Sequence, residues 1–322
     1  MTDEYRYPFS PYPEGWFAIL EASNLAAGEI KTLKYFGREL VAFRDDAGKI
    51  RVTAAHCVHQ GAHLGHGGKI ENGCLRCPFH GWKYNGDGEC VEVPYSDSVP
   101  KNARIHSYPV LEWANLVIVF YNENNDAPTW TPELPDLSDM LVYGRTAVLA
   151  RVHIQDVGEN GVDIPHFKYV HGQPLPDLVR AEGVGKSFFI ETKNKEDSPN
   201  YKHVKGINRV LWGMGISSTD FVAKVTGRAI ICRTPVDRFH SELSVTAVVP
   251  KLPNEGHSIA FGKALLENVS RELDSDIPIW ENKLYADDPV LSRGDGPVYK
   301  WRRWCKQFYT GKPEGHSPNV TS

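Results

Sequence analysis

Residues 54–84, AAHCVHQGAHLGHGGKIENGCLRCPFHGWKY, hold three cysteines and five histidines within 31 positions. Two short pairs stand out, Cys57-x-His59 and Cys77-x-x-His80, and 17 residues separate them. Each pair fits a tight loop that turns both side chains inward, and the surrounding glycines let the backbone approach a bound group closely. The stretch therefore predicts a metal centre with two cysteine and two histidine ligands.

Two kinds of metal centre suit this ligand set. Two cysteines and two histidines can hold a tetrahedral Zn²⁺ ion. They can also hold a Rieske [2Fe–2S] cluster, in which two histidines replace two cysteines on one iron. The zinc alternative could recruit Cys74, which forms a Cys-x-x-Cys pair with Cys77.

The overall composition is that of an ordinary globular protein. Hydrophobic residues make up 41% and charged residues 24% of the 322 residues, a length that suits roughly two domains. A net charge of -4 without a Lys/Arg cluster argues against a nucleic-acid partner. The N-terminus has no apolar core of a signal peptide, and no apolar run is long enough to span a bilayer. We therefore expect a cytoplasmic chain in which clustered cysteines serve metal or redox chemistry.

Turn signals and short alternating segments indicate β structure in the first third of the chain. We predict an N-terminal all-β domain over residues 1–121, a Pro-rich linker at 122–139, a second domain over 140–310 and a flexible tail at 311–322. In the second domain, the patterns indicate strands between about residues 186 and 249. They also indicate helices at about 157–170, 265–285 and 301–309.

A second group of possible ligands lies in QDVGENGVDIPHFKYVHG, residues 155–172. His166 and His171 are five residues apart, so a regular helix would not quite place them on one face. We expect Pro165 to distort the helix locally, which could bring both imidazoles to one metal ion. Asp163 lies three residues before His166, where it could orient that ring. The alternative is a helix with two solvent-facing histidines that bind no metal.

Both groups resemble motifs of one family. CVHQGAHLG followed by CPFHGWKYNGDGEC resembles the Rieske signature, with Val58 where proline is common and Gln60 where arginine is common. The spacing Asp-x-x-His-x-x-x-x-His resembles the mononuclear iron motif of Rieske oxygenases. DIPIWENK, from Asp276, and GDGPVYKWRRWCKQFY, from Gly294, resemble the branch that contains 3-ketosteroid 9α-hydroxylase oxygenases and cholesterol 7-desaturases.

The resemblance assigns a role to each group of residues. It implies a Rieske cluster on Cys57, His59, Cys77 and His80. It implies a 2-His-1-carboxylate iron site on His166, His171 and Asp276, with Asp276 preferred over Asp274. It also makes Asn160 and Asp163 catalytic residues beside the iron, and the Asp163 carboxylate is expected to bind His166 and, across a subunit boundary, His80.

The same resemblance implies a fold and a reaction. The fold is α+β, with an all-β Rieske domain followed by an antiparallel sheet flanked by helices, of the helix-grip type. The function is that of the terminal oxygenase component of a Rieske oxygenase, with a [2Fe–2S] cluster and a mononuclear Fe(II). It would hydroxylate a hydrophobic, steroid-like or polycyclic substrate with O₂. Apart from the resemblance, we expect Trp212, Met214 and Phe221 to line the substrate pocket. The electrons would come from a separate NAD(P)H-dependent ferredoxin reductase, because no GxGxxG fingerprint follows a strand.

Three alternatives remain open on the sequence. The reaction could be a demethylation or a desaturation. The chain could be an electron-transfer protein with a docking domain, or a zinc-stabilised binding module. The resemblance also implies a homotrimeric ring, in which the cluster of one subunit lies beside the iron of the next.

Overall fold

The computed structural model of the protein describes residues 5–198 and 203–309. The tail predicted at 311–322 lies outside the described residues. Contacts divide the described residues into two compact units, one of residues 17–129 and the other of residues 5–16 together with 130–198 and 203–309. Between 122 and 139, the backbone forms neither helix nor strand.

The unit of residues 17–129 is built from short strands, as the turn-rich sequence predicts. Three small sheets have the orders β1-β11-β10, β2-β3-β4-β9 and β5-β6-β7-β8. The strands are β1 Gly15–Glu21, β2 Ile30–Tyr35, β3 Arg38–Arg44, β4 Ile50–Ala54, β5 Lys69–Glu71, β6 Cys74–Arg76, β7 Lys83–Tyr84, β8 Cys90–Glu92, β9 Ser107–Tyr108, β10 Val110–Trp113 and β11 Leu116–Tyr121. Leu64, Leu75 and Tyr84 are fully buried in a core that also contains Cys57 and Cys77. The all-β prediction is confirmed.

The second unit contains a seven-stranded sheet and helices, in the order β12-β18-β17-β16-β15-β14-β13. Its elements are β12 Met140–Ala150, α1 Ile154–Glu159, α2 Ile164–Tyr169, β13 Asp177–Val184, β14 Ser187–Lys193, β15 Gly206–Trp212, β16 Ile216–Val222, β17 Gly227–Pro235, β18 Ser241–Pro250, α3 Glu255–Asn282 and α4 Val298–Cys305. The paired strands run antiparallel. Helix α3 packs Leu265 and Val269 against Ala229, Val245 and Ala247 of the sheet. The predicted α+β fold is confirmed.

The N-terminal segment differs from the predicted domain boundary, because residues 5–16 group with the second unit. The guanidinium of Arg6 donates to the backbone carbonyls of Arg151, Trp280 and Glu281 at 2.8, 2.5 and 2.7 Å. These partners lie at least 145 positions away, so no local pattern of the sequence indicates them.

The helix predicted at about 157–170 is also different, because the structure has two short helices with a break between them. Pro165 lies in the first turn of α2, where its missing N–H and fixed φ are tolerated. It therefore starts a helix instead of distorting one. Helix α3 begins at Glu255, ten residues before the predicted start.

Candidate metal centres

Two similar loops, after β4 and β6, present the first group of ligands. In each loop the cysteine N–H donates to the carbonyl five residues later, at 2.9 Å for Cys57 and 2.8 Å for Cys77. The carbonyl of each cysteine accepts from a glycine N–H four residues later, at 2.9 and 3.1 Å. These glycines, Gly61 and Gly81, have φ values of 75° and 73°, which side chains rarely allow. The repeated turn explains how the two pairs come to face one another.

The side chains of this group fit a bound cluster. Cys57 and Cys77 are 2% and 3% exposed, and the rings of His59 and His80 lie 4.7 Å apart, edge to face. Among the described residues, the buried Nδ1 atom of His80 has no hydrogen-bond partner, so it is available for a metal bond. Burial raises the pKa of Cys57, so a nearby cation is required to hold it as a thiolate.

The surface around these loops is apolar. Val58 and Phe79 lie beside the ligands and are 48% and 60% exposed. The ring of His59 stacks on Trp82 at 4.6 Å, and Trp82 donates to the exposed Tyr95 hydroxyl at 2.9 Å. Exposed apolar residues that surround a redox ligand suit a docking surface.

The second group of ligands meets in the other unit. Ligand atoms of His166, His171 and Asp276 lie within 4.8 Å of one another. The Nε2 atom of His171 lies 3.5 Å from an Asp276 carboxylate oxygen, and these two side chains are 4% and 10% exposed. Asp274, the alternative carboxylate, is exposed to solvent on the same helix. Two imidazoles and one carboxylate are the donor set of non-haem ferrous sites, so these residues fit a mononuclear iron.

The end of α2 explains how two histidines five residues apart can converge. His166 lies inside α2, whereas His171 lies beyond its last residue. The chain turns there at Gly172, with φ 66°, and the Gly172 and Gln173 N–H groups donate back into the helix at 3.1 and 2.9 Å. Leaving the helix rotates His171 onto the side of His166.

The ring of His166 is oriented by a backbone group. Its Nδ1 atom donates to the backbone carbonyl of Asp163, which leaves Nε2 for a metal. The prediction that the Asp163 carboxylate would accept this bond is wrong, because the residue preceding α2 turns its carbonyl along the first helical turn. Burial raises the pKa of the Asp163 carboxyl group.

Asn160 lies beside the carboxylate of the second group. Its side-chain amide hydrogen-bonds to Asp276, and its oxygen accepts from Trp280 Nε1 at 3.2 Å. Burial raises the pKa of Asp276 to about 7, while the Asn160 bond opposes the shift. A divalent cation at this position would favour the ionised carboxylate.

Four polar residues near this group were not found from the sequence. Glu272, Gln173, Arg209 and Arg233 line a cavity of about 110 Å³ together with His166, His171 and Asp276. Glu272 lies one helical turn before Asp276 and accepts a hydrogen bond from Gln173. The i, i+4 spacing of two acidic residues in α3 was the available signal.

A larger cavity of about 580 Å³ adjoins this site and shares His171 with it. Its wall is largely apolar and includes Phe167, Ile207, Phe221, Phe261 and Val269. Phe221 therefore lines the cavity as predicted. The prediction for Trp212 and Met214 is wrong, since both are buried core residues that do not line it.

Comparisons with known proteins identify both parts of the chain. Residues 15–109 match the family model of the Rieske [2Fe-2S] domain. Residues 119–309 match the 3-ketosteroid 9alpha-hydroxylase C-terminal domain. Together, the two matches cover both groups of ligands.

Curated relatives extend along nearly the whole chain. Cholesterol 7-desaturase nvd 1 of Ciona intestinalis is 31% identical, over 96% of this chain and 70% of that protein. The probable 3-ketosteroid-9-alpha-monooxygenase, oxygenase component, of Rhodococcus rhodochrous is 30% identical, over 94% of this chain and 81% of that protein.

Solved structures of Rieske oxygenases share the fold. NdmB of Pseudomonas putida CBB5 superposes with a TM-score of 0.72 at 21% identity, over 90% of this chain and 89% of that one. The terminal oxygenase of carbazole 1,9a-dioxygenase from Novosphingobium sp. KA1 gives 0.71 at 21% identity, over 96% and 97%. Within residues 5–198 and 203–309, no helix is long and apolar enough to cross a membrane.

Proposed function

This chain belongs to the Rieske oxygenase family as a terminal oxygenase component, and we propose that it hydroxylates a hydrophobic, steroid-like or other polycyclic substrate. The names of its relatives support this substrate class, since they act in 3-ketosteroid hydroxylation and cholesterol desaturation. The cavity supports it too, since about 580 Å³ falls within the range of roughly 300–1,000 Å³ of small-molecule sites.

Each group of ligands has a separate task in this proposal. Cys57, His59, Cys77 and His80 hold the cluster, and His166, His171 and Asp276 hold a ferrous iron. When bound, the cluster supplies electrons, and the iron supplies open coordination positions at which O₂ is activated.

The protein residues prepare the iron site. The Asp163 carbonyl holds the ring of His166 through Nδ1, which leaves Nε2 as the atom that would bind a metal. Asn160 holds Asp276 through its amide, and Trp280 holds Asn160 in turn. The largely apolar wall of the adjoining cavity favours a hydrophobic substrate over water.

One observation carries the proposal: the three donor side chains converge at a cavity wall that also lines a larger apolar chamber. His171 belongs to the metal group and to both cavities, so a substrate in the chamber lies beside the iron ligands. An electron-transfer protein with a docking domain would need neither this donor set nor the chamber. An iron assay separates the two, with about three Fe per chain for the oxygenase and about two for the carrier.

A reductase or ferredoxin partner follows from membership of the family. We infer that the reductase is NAD(P)H-dependent and that the working enzyme is a cytoplasmic homotrimer. The exposed Val58 and Phe79 support an interface at the cluster loops, because burying them against a neighbouring copy would remove apolar surface from water. In a closed head-to-tail ring, the apolar surface at the cluster loops of every subunit is buried against a neighbour.

In this ring, the Asp163 carboxylate bridges to His80 of an adjacent copy. The backbone carbonyl of Asp163 binds the His166 ring, and its carboxylate interacts with the His166 backbone N–H, so the second carboxylate oxygen supports this role. Asp163→Asn is expected to bind both metals and to assemble, yet to reoxidise its reduced cluster very slowly when substrate and O₂ are added. Reoxidation at the wild-type rate would show that Asp163 does not transmit electrons between subunits. A fully active enzyme that is monomeric by light scattering would show the same.

The substrate class is tested with a surrogate reductase, NADH and a panel of 3-ketosteroids, sterols and fused aromatic compounds. Hydroxylation is expected to give substrate-dependent O₂ consumption and a product that has gained one oxygen atom. A product that has lost two hydrogen atoms would show that the reaction is a desaturation and not a hydroxylation. A product that has lost a methyl group would show that it is a demethylation. If the cluster is reduced but no panel member stimulates O₂ consumption, the proposed substrate class is wrong.

A further inference from the structure

Two arginines line the 110 Å³ cavity without a direct ion pair, and only the more distant Glu272 and Asp276 offset the charge of Arg209. Arg209 on β15 and Arg233 on β17 both line this cavity with the metal-binding group. Among residues 5–198 and 203–309, neither guanidinium has a carboxylate oxygen within 4.0 Å. A buried charge without a direct ion pair is costly, so the two guanidiniums require an explanation.

Arg209 keeps donors free on the cavity side. Its Nε atom donates to Thr219 Oγ1 at 2.8 Å, and neither Nη atom donates to another described residue. The side chain lies deep in the protein but retains accessible surface, and this surface faces the cavity that it lines. Two adjacent N–H groups on a planar guanidinium match the two oxygens of a carboxylate.

Arg233 adds a second positive charge. It is 2% exposed and donates to the Met214 carbonyl at 3.4 Å and to Ser217 Oγ at 2.9 Å. Burial, reinforced by the charge of Arg209, lowers the pKa of Arg233 to about 9, so it still carries its proton at neutral pH. Its Nε atom has no partner among the described residues.

The carboxylates of the cavity are already committed. Glu272 accepts from Gln173, and Asp276 lies against His171 and Asn160. With a ferrous ion in place, the two guanidiniums and the metal outweigh these two carboxylates. The cavity then favours a ligand that brings a negative charge, which a neutral carbonyl group would not supply.

We propose that Arg209, supported by the charge of Arg233, binds a carboxylate group of the substrate inside the metal cavity. The substrate is then an amphipathic acid, with its ring body in the 580 Å³ chamber and its carboxylate in the 110 Å³ cavity. This inference rests on the proposed function only in treating the two cavities as the substrate site. The apolar chamber alone indicates only a hydrophobic substrate. The arginines add the expectation that this substrate carries a negative charge.

The test compares two matched probes, 2-naphthoate and its uncharged analogue 2-naphthamide, by calorimetric titration of the holoenzyme without O₂. The carboxylate is expected to bind wild type at least about tenfold more tightly than the amide, which corresponds to about 1.4 kcal/mol. Arg209→Gln should abolish this preference and leave the affinity for the amide unchanged. Lys263→Gln is the matched control, because Lys263 is an exposed cation of α3 that lines neither cavity and should not affect the preference.

Three results would overturn the proposal. The first is equal or undetectable binding of the two probes to wild type. The second is a preference for 2-naphthoate that survives in Arg209→Gln. This result would mean that the metal, and not Arg209, binds the carboxylate of the probe. The third is an equal loss in Lys263→Gln, which would assign the preference to the general positive charge of the protein. The EPR signal of the reduced cluster and the amide affinity report whether each variant is folded.

A lysine variant covers the case in which Arg209→Gln fails to fold. Arg209→Lys keeps the charge but lacks the paired donors, so its preference should fall at least about threefold, and an unchanged preference would count against the proposal. Because binding is measured without turnover, the two hypotheses can fail separately. Carboxylate-selective binding without oxidation of any panel compound would refute the proposed function alone, whereas steroid hydroxylation without that selectivity would refute the carboxylate site alone.

Discussion

Replacing Gly296 with alanine should remove the mononuclear iron, although Gly296 is not a ligand. A Cβ atom at this position would lie 1.5 Å from the Val162 carbonyl oxygen and 2.7 Å from its carbonyl carbon. Ordinary contact begins at 3.4 Å, so one of the two segments must move by roughly 2 Å. Because the obstacle is backbone, no rotation of a side chain can relieve the clash.

The displaced segment is the one that orients His166. Val162 directly precedes Asp163, and the Asp163 carbonyl accepts the bond from the His166 ring. Metal ligands must be held to within about 0.5 Å, and a misplacement of about 1 Å can cost about 100-fold in rate. We therefore expect Gly296→Ala to lose about one Fe per chain and at least about 100-fold of turnover.

Iron analysis, EPR of the reduced cluster and O₂ consumption measure this outcome together. The cluster signal should persist, because its ligands belong to the other compact unit. Gly294→Ala is the matched control two residues earlier, where the nearest atom to a new Cβ would be Ser292 Oγ at 3.8 Å. If Gly296→Ala retains wild-type iron content and turnover, the backbone at Val162 does not position His166 as we argue.

Three further predictions follow from the same structure. Cys74→Ser should keep the low-average-g EPR signal of the reduced cluster, and loss of the signal would mean that Cys74 is a ligand. Asp276→Ala should lose about one Fe per chain and all turnover, and the opposite result, in which only Asp274→Ala does so, would move the assignment by two residues. Glu159→Gln should lower the free energy of unfolding by about 3–5 kcal/mol in urea titrations, because it leaves the buried guanidinium of Arg302 without its ion pair at 2.7 Å.

These variants have controls in the same chain. Cys77→Ser should abolish the cluster signal that Cys74→Ser retains. Glu267→Gln breaks an exposed ion pair with Lys263, whose side chain is 64% exposed, and it should change the stability by less than about 1 kcal/mol. A loss for Glu159→Gln as small as that for Glu267→Gln would refute the argument from burial.

The first group of ligands could be predicted from the sequence almost completely. Its members form two pairs. The residues of one pair are two positions apart and those of the other are three apart, and each pair lies in a turn closed by its own backbone hydrogen bonds. Local geometry of this kind is encoded by residue spacing and by glycines at positive φ, as at Gly61 and Gly81. Short runs of apolar and β-branched residues likewise predicted strands such as β11 and β18, in which nearly every residue is buried.

Other features needed the tertiary structure, because residues far apart in the sequence create them. Only the packing of α3 on the sheet brings Asp276 to His166 and His171, although the motif around Asp276 had marked it in advance. The break between α1 and α2 replaced the expected helix, and it made a backbone carbonyl, not the Asp163 carboxylate, the partner of His166. The sequence by itself indicated the donor types of both candidate metal centres, since residue types and the short spacings of the Cys/His and His/His pairs are local properties. The tertiary structure alone decided the charge of the cavity beside the iron, because Arg209 and Arg233 lie on separate strands and meet only when the sheet forms.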